Sequence, residues 1–84
     1  MKMISLMKKG SKKVTNTNLL RQKITESGYK LQYVAEQLSL TYFGFMKKVN
    51  NETEFKASEI STLKNLLHLT DEEANAIFFY TESR

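Results

Sequence analysis

The apolar residues between Gly28 and Asn50 constrain this chain more than any other feature, because they fall into two short helical registers separated only by enough residues for a tight turn. Leu31, Val34, Ala35 and Leu38 stand at i, i+3, i+4 and i+7, the stripe that one face of an α-helix turns to a core. Phe45 and Val49, four apart, mark the inward side of a second helix. The small residue in the first stripe matters. Where two helices cross closely, a methyl is about the largest group that fits, so Ala35 predicts a steeply crossing partner rather than a parallel one.

Ser39 and Leu40 supply the turn, with Leu40 directed inward. Thr41 is a good N-cap, its hydroxyl able to accept from the backbone N–H of Phe43 or Gly44, so the next helix is predicted to start at Tyr42. That register turns Tyr42, Phe43, Met46, Lys47 and Asn50 outward. Two short helices joined this way, the second of them basic, have the pattern of a helix-turn-helix.

Proline is absent and glycine occurs only at positions 10, 28 and 44, which suits short helices with polar connections rather than a turn-rich β architecture. The expected class is all-α. Asn16 and Thr17 are N-cap types ahead of Leu19, Leu20, Lys23 and Ile24, a helix stopped by Ser27 and Gly28. After a polar connection over residues 50–54, Phe55 is expected to return to the core. A fourth helix from about Ser58 buries Ile60, Leu63, Leu66 and Leu67 and ends near His68. Thr70 and Glu73 form a capping box, with Asp71 and Glu72 favoured at the positive end of the dipole, so a fifth helix begins at Asp71 with Ala74, Ile77 and Phe78 inside. Residues 1–15 read as a flexible basic arm jointed at Gly10 and Ser11, and residues 16–84 as the domain.

Eighty-four residues with 40% hydrophobic content suffice for one small core. There is no cysteine, hence no disulfide framework, thiolate metal site or thiol nucleophile, and an intracellular, cytoplasmic protein is expected. The N-terminal apolar run is too short for a signal-peptide core or a membrane span. Charge is uneven: residues 1–13 carry a net +5, residues 14–56 a net +2 and residues 57–84 a net −3. Such a gradient orients a domain over a polyanion and speeds its encounter with DNA. Catalysis is not expected. The acids at Asp71, Glu72 and Glu73 are explained by capping, His68 stands alone, and no nucleophile, base and orienter can be assembled. There is also no glycine-rich phosphate loop and no metal-ligand spacing.

From Asn18 to Phe79 the chain resembles the Cro/CI-like (XRE-type) helix-turn-helix regulators, especially the small forms of phages and prophages of Gram-positive bacteria. The likeness is carried by Leu20, Ile24 and Gly28, by Val34, Ala35, Glu36, Leu38, Leu40 and Thr41, and by Phe55, Glu59, Ile60, Leu66, Leu67, Leu69 and Thr70. It implies a compact five-helix, lambda-repressor-like DNA-binding domain that acts as a repressor or switch protein, a homodimer on double-stranded operator DNA, with no cofactor and no small-molecule ligand. Its third helix would read base edges through Tyr42, Phe43, Met46 and Lys47, of which Lys47 is the strongest candidate to reach guanine acceptors. Thr17, Asn18, Gln32, Tyr33, Thr41, Lys48, Asn50 and Asn51 are the phosphate candidates, and Lys8, Lys9, Lys12 and Lys13 would follow the DNA as an arm.

The chain departs from that family where it has Tyr42 and Phe43, since Gln, Asn, Ser or Arg is usual there. Aromatic and Met side chains can pack on thymine methyls but discriminate less than bidentate hydrogen bonds. The same exposed Tyr42, Phe43 and Met46 also suit a protein interface, so a modulator that binds another repressor is the alternative. Gly44 in mid-helix costs about 1 kcal/mol against alanine, so it either lets backbone or a partner come close or is simply tolerated there. The run Ile77, Phe78, Phe79 and Tyr80 exceeds what one helix face can bury, which makes Phe79 and Tyr80 candidates for a dimer contact, with core completion as the other explanation.

Overall fold

Four of the five helices begin where a side chain closes the first turn; the helix that starts at Leu31 has no side-chain cap. The computed structural model describes residues 13–81. These form β1 (Lys13–Val14), α1 (Thr17–Ser27), α2 (Leu31–Gln37), α3 (Tyr42–Val49), α4 (Ala57–Leu66), α5 (Asp71–Phe78) and β2 (Tyr80–Thr81). The Asn16 carboxamide oxygen accepts from the Leu19 N–H at 3.1 Å, and the Thr41 hydroxyl accepts from Gly44 at 3.0 Å. Thr70 and Glu73 close reciprocally, at 3.1 and 2.9 Å. Helix α4 starts at Ala57, one residue before the expected Ser58, because the Glu59 carboxylate reaches back to the Lys56 N–H at 2.8 Å.

Four helices end in the same way, on a single residue in the left-handed region: Gly28 (φ 84°), Ser39 (φ 59°), Asn51 (φ 67°) and His68 (φ 55°). After α2, the Ser39 N–H bonds to the Glu36 carbonyl and the Leu40 N–H to the Ala35 carbonyl, both at 3.0 Å. After α3, Asn51 bonds to Lys48 at 3.2 Å and Glu52 to Lys47 at 2.8 Å; after α4, His68 bonds to Asn65 at 3.3 Å and Leu69 to Lys64 at 2.9 Å. These paired bonds satisfy the orphan carbonyls of the last turn and reverse the chain within three or four residues. The closures carry Leu40 and Leu69 back onto the core. Only the first of them is marked in the sequence by a glycine.

The five helices make a compact all-helical domain around Leu20, Ile24, Val34, Ala35, Leu38, Phe45, Val49, Leu63, Leu67, Leu69, Ala74, Ile77 and Phe78. Phe55 is the expected anchor of the connection after α3, edge-on to Phe45 (6.2 Å between ring centroids) and to Phe78 (5.5 Å). Ala35 is buried in α2, which packs against α3. Helix α1 is tied to α5 by the Lys23–Glu73 ion pair at 2.8 Å.

Residues 13–15, expected in the arm, are joined to the rest of the fold. Lys13 and Val14 pair antiparallel with Thr81 and Tyr80, and Thr15 is buried. The Asn16 N–H donates to the Ile77 carbonyl at 2.6 Å. These bonds join the segment ahead of α1 to the end of α5, a long-range pairing that residue types alone do not announce. Lys8, Lys9 and Lys12 lie outside the described residues. Among the described residues, no helix is long and apolar enough to cross a membrane.

Candidate nucleic-acid interface

Helix α3 has a narrow outward face. Its inward stripe is Phe45 and Val49, both fully buried. At 3.6 residues per turn, Met46 lies about 60° from Val49, and Lys48 lies about 60° from Phe45 on the other flank. Both flanking side chains are drawn to the protein instead of solvent. Met46 packs against the core, so it does not stand on the outward face with Tyr42 and Phe43.

Lys48 is the larger departure from its expected phosphate role. Its ammonium donates to the Glu59 carboxylate at 2.6 Å, and the two side chains are 11% and 9% exposed. The oxygen that takes the Lys48 bond also accepts the Lys56 N–H that starts α4. Burial pushes the Glu59 carboxyl up, but the bonds from Lys48 and the Lys56 backbone, with the charges of both lysines, bring it below the usual carboxylate range. The pair therefore fastens α3 to the start of α4.

Two other phosphate candidates are also engaged internally. The Thr17 hydroxyl donates to the Val49 carbonyl at 2.6 Å, satisfying an acceptor in the last turn of α3. The Asn51 side chain brackets Thr15, accepting from its N–H at 2.8 Å and donating to its carbonyl at 2.9 Å. A carboxamide is the natural choice for this bracket, because Asn51 also tolerates the left-handed φ that ends α3. Thr15, Thr17, Val49 and Asn51 thus form a polar knot between the start of the domain and the end of α3.

What remains on the outward arc is Phe43 and Lys47, with Asn50 exposed at the end of the helix and Tyr42 at its start. Phe43 is 73% exposed and Tyr42 is 47% exposed. Four residues separate Phe43 from Lys47, so they share a face, and the Lys47 ammonium sits 5.5 Å from the Phe43 ring centroid. Gly44 is explained locally: a Cβ there would approach the Thr41 hydroxyl to 3.1 Å, and that hydroxyl is the cap of α3.

Asn18, Gln32, Tyr33 and Thr41 are exposed at the starts of α1, α2 and α3. Tyr33 stacks on Tyr29 with ring centroids 5.0 Å apart. Tyr29 lies just ahead of the Lys30 cap of α2 and was not among the expected candidates; its pairing with Tyr33 lies outside the helical spacing rule. At the far end of the chain, Ile77 and Phe78 complete the core, whereas Phe79 and Tyr80 lie beyond the end of α5 and are exposed. Among the described residues, no group of three acidic, His or Cys side chains is placed to hold a metal ion. No protein-family model matches the chain, and comparison with curated proteins and with solved structures returned no match.

Proposed function

We propose that α2 and α3 act as a helix-turn-helix and that this is a DNA-binding transcription regulator of Cro/CI-like type, reading double-stranded operator DNA with α3 in the major groove and repressing by occluding a promoter. It carries out no catalysis. The observation that carries the reading is the outward face of α3: an exposed ring and a lysine ammonium side by side on a short, firmly capped helix. That helix follows a closely packed partner after a four-residue turn. The positive charge of residues 1–56 against the negative remainder agrees with it. Lys47 is assigned to the DNA, and Lys48, Thr17 and Asn51 to holding α3 in place. Asn18, Gln32, Tyr33, Thr41 and Asn50 remain the phosphate candidates. A homodimer on a palindromic site would use Phe79 and Tyr80.

The test is a mobility shift of the full chain with DNA fragments from its own locus, at about 50 and about 200 mM salt with competitor DNA. A discrete, competitor-resistant shift that weakens with salt is expected. A smear or no shift would favour the second reading, a modulator of another repressor. The exposure of Tyr42 and Phe43 supports that alternative, because exposed aromatic clusters are typical centres of protein interfaces. In that case Phe43→Ala would abolish partner binding and leave DNA affinity untouched.

A further inference from the structure

The outward arc of α3 presents an unusual pair of groups to a groove. Of the residues expected to read bases, Met46 is taken by the core, which leaves Phe43 and Lys47 on that arc, with Tyr42 at the first turn. A phenyl ring has no hydrogen bond to give, and the one apolar feature that a base pair offers in the major groove is the 5-methyl group of thymine. An ammonium has no acceptor, and the neighbouring feature that suits it is the O6 and N7 edge of guanine. The ring and the cation are held together, the ammonium 5.5 Å from the ring centroid. Successive bases rise by about 3.4 Å, so this separation spans one to two base steps.

Resting on the proposed DNA-binding function, we infer that Phe43 and Lys47 form a paired reader of a 5-methylpyrimidine and a guanine one or two base pairs away. The contact biases both side chains toward one arrangement, so part of their ordering precedes binding. The lysine charge beside the exposed ring favours an anionic occupant. Thymine is the ordinary source of the methyl group, and 5-methylcytosine presents the same group.

The experiment is selection of the full chain on a pool of random duplexes, followed by base analogues in the enriched site. Replacing the read thymine with deoxyuridine is expected to weaken binding about fourfold, the value of one buried methyl. F43A should bind the thymine and deoxyuridine duplexes alike, and K47M should lose an approximately tenfold preference for guanine over 7-deazaguanine. With a C·G pair at that position, 5-methylcytosine should bind about fourfold tighter than cytosine, which assigns the methyl itself as the group read. Enrichment of a site indifferent to deoxyuridine, sensitivity that survives F43A, or equal binding of cytosine and 5-methylcytosine would each overturn the paired reader while leaving DNA binding intact. Enrichment of no site would overturn the DNA-binding function on which it rests. Phe43 is largely exposed, so loss of folding does not confuse the readout.

Discussion

Lys48→Met isolates the link between α3 and α4. In the wild type the Glu59 carboxylate is almost buried and is held by Lys48 and by the Lys56 N–H. Removing one partner of a buried ion pair typically costs 3–5 kcal/mol, because a charge is left uncompensated. Here Glu59 keeps its backbone bond, so the expected loss at pH 7 is about 2–3 kcal/mol, or roughly 10–20 °C in Tm for a domain of this size. The pH dependence is diagnostic. With Lys48 present, the folded-state pKa of Glu59 lies below its ordinary value of 4.5, so its stabilisation is full above that value and is lost as pH falls through the folded pKa. Without Lys48, burial dominates and the folded pKa is expected to lie above the unfolded one, so the penalty is present at neutral pH and fades on acidification. Urea unfolding of both proteins between pH 7 and pH 4 checks this, with the difference between them shrinking toward acid. A variant within about 0.5 kcal/mol of wild type at pH 7, or a loss independent of pH, would refute the reasoning.

Asn51→Ala removes two hydrogen bonds to Thr15 and should cost about 2 kcal/mol in urea unfolding, while leaving the salt dependence of DNA binding unchanged. Ser39→Gly and His68→Gly relieve left-handed backbone conformations and should each raise stability by several tenths of a kcal/mol in thermal unfolding, the gain reduced by the greater freedom of glycine in the unfolded chain. Gly28→Ala should cost about 1 kcal/mol in the same assay; no atom lies within 4 Å of the added methyl, so the cost is conformational. Acid titration of the wild type should show stability falling as pH drops below about 4.5. The hydrogen bond from Lys64 holds Asp71 low and that from Lys23 holds Glu73 low, so both carboxylates resist protonation in the folded state.

The helices were legible because their signals are local. Asn16, Thr41 and Thr70 stand directly before the turns they cap, and the inward stripes of α2, α3 and α5 obey a single period. The start of α4 was displaced by a residue because a lysine occupies the cap and the closing group is Glu59, three positions on. The ends of α2, α3 and α4 fall on Ser39, Asn51 and His68; asparagine and histidine are enriched at positive φ, but neither marks a helix end as plainly as glycine does, and serine does not mark it at all. At the candidate site, the four-residue spacing of Phe43 and Lys47 is visible in the sequence, and the structure brings the ammonium within 5.5 Å of the ring centroid. Spacing was silent about Lys48, Thr17 and Asn51, whose partners Glu59, Val49 and Thr15 are 11, 32 and 36 residues away. An exposed-looking polar residue near the edge of a helical stripe is assigned to solvent by periodicity, yet long-range pairing decides where its polar atoms go.

The most direct test of the central claim is amide chemical-shift mapping of the full 9.8 kDa chain during titration with a duplex enriched by selection. Operator reading through α3 predicts that Tyr42, Phe43, Lys47 and Asn50 shift most, with Gln32 and Tyr33 beside them, and that added salt reverses the shifts. Perturbations confined to the Phe79 and Tyr80 end, or spectra unchanged by DNA, would contradict it.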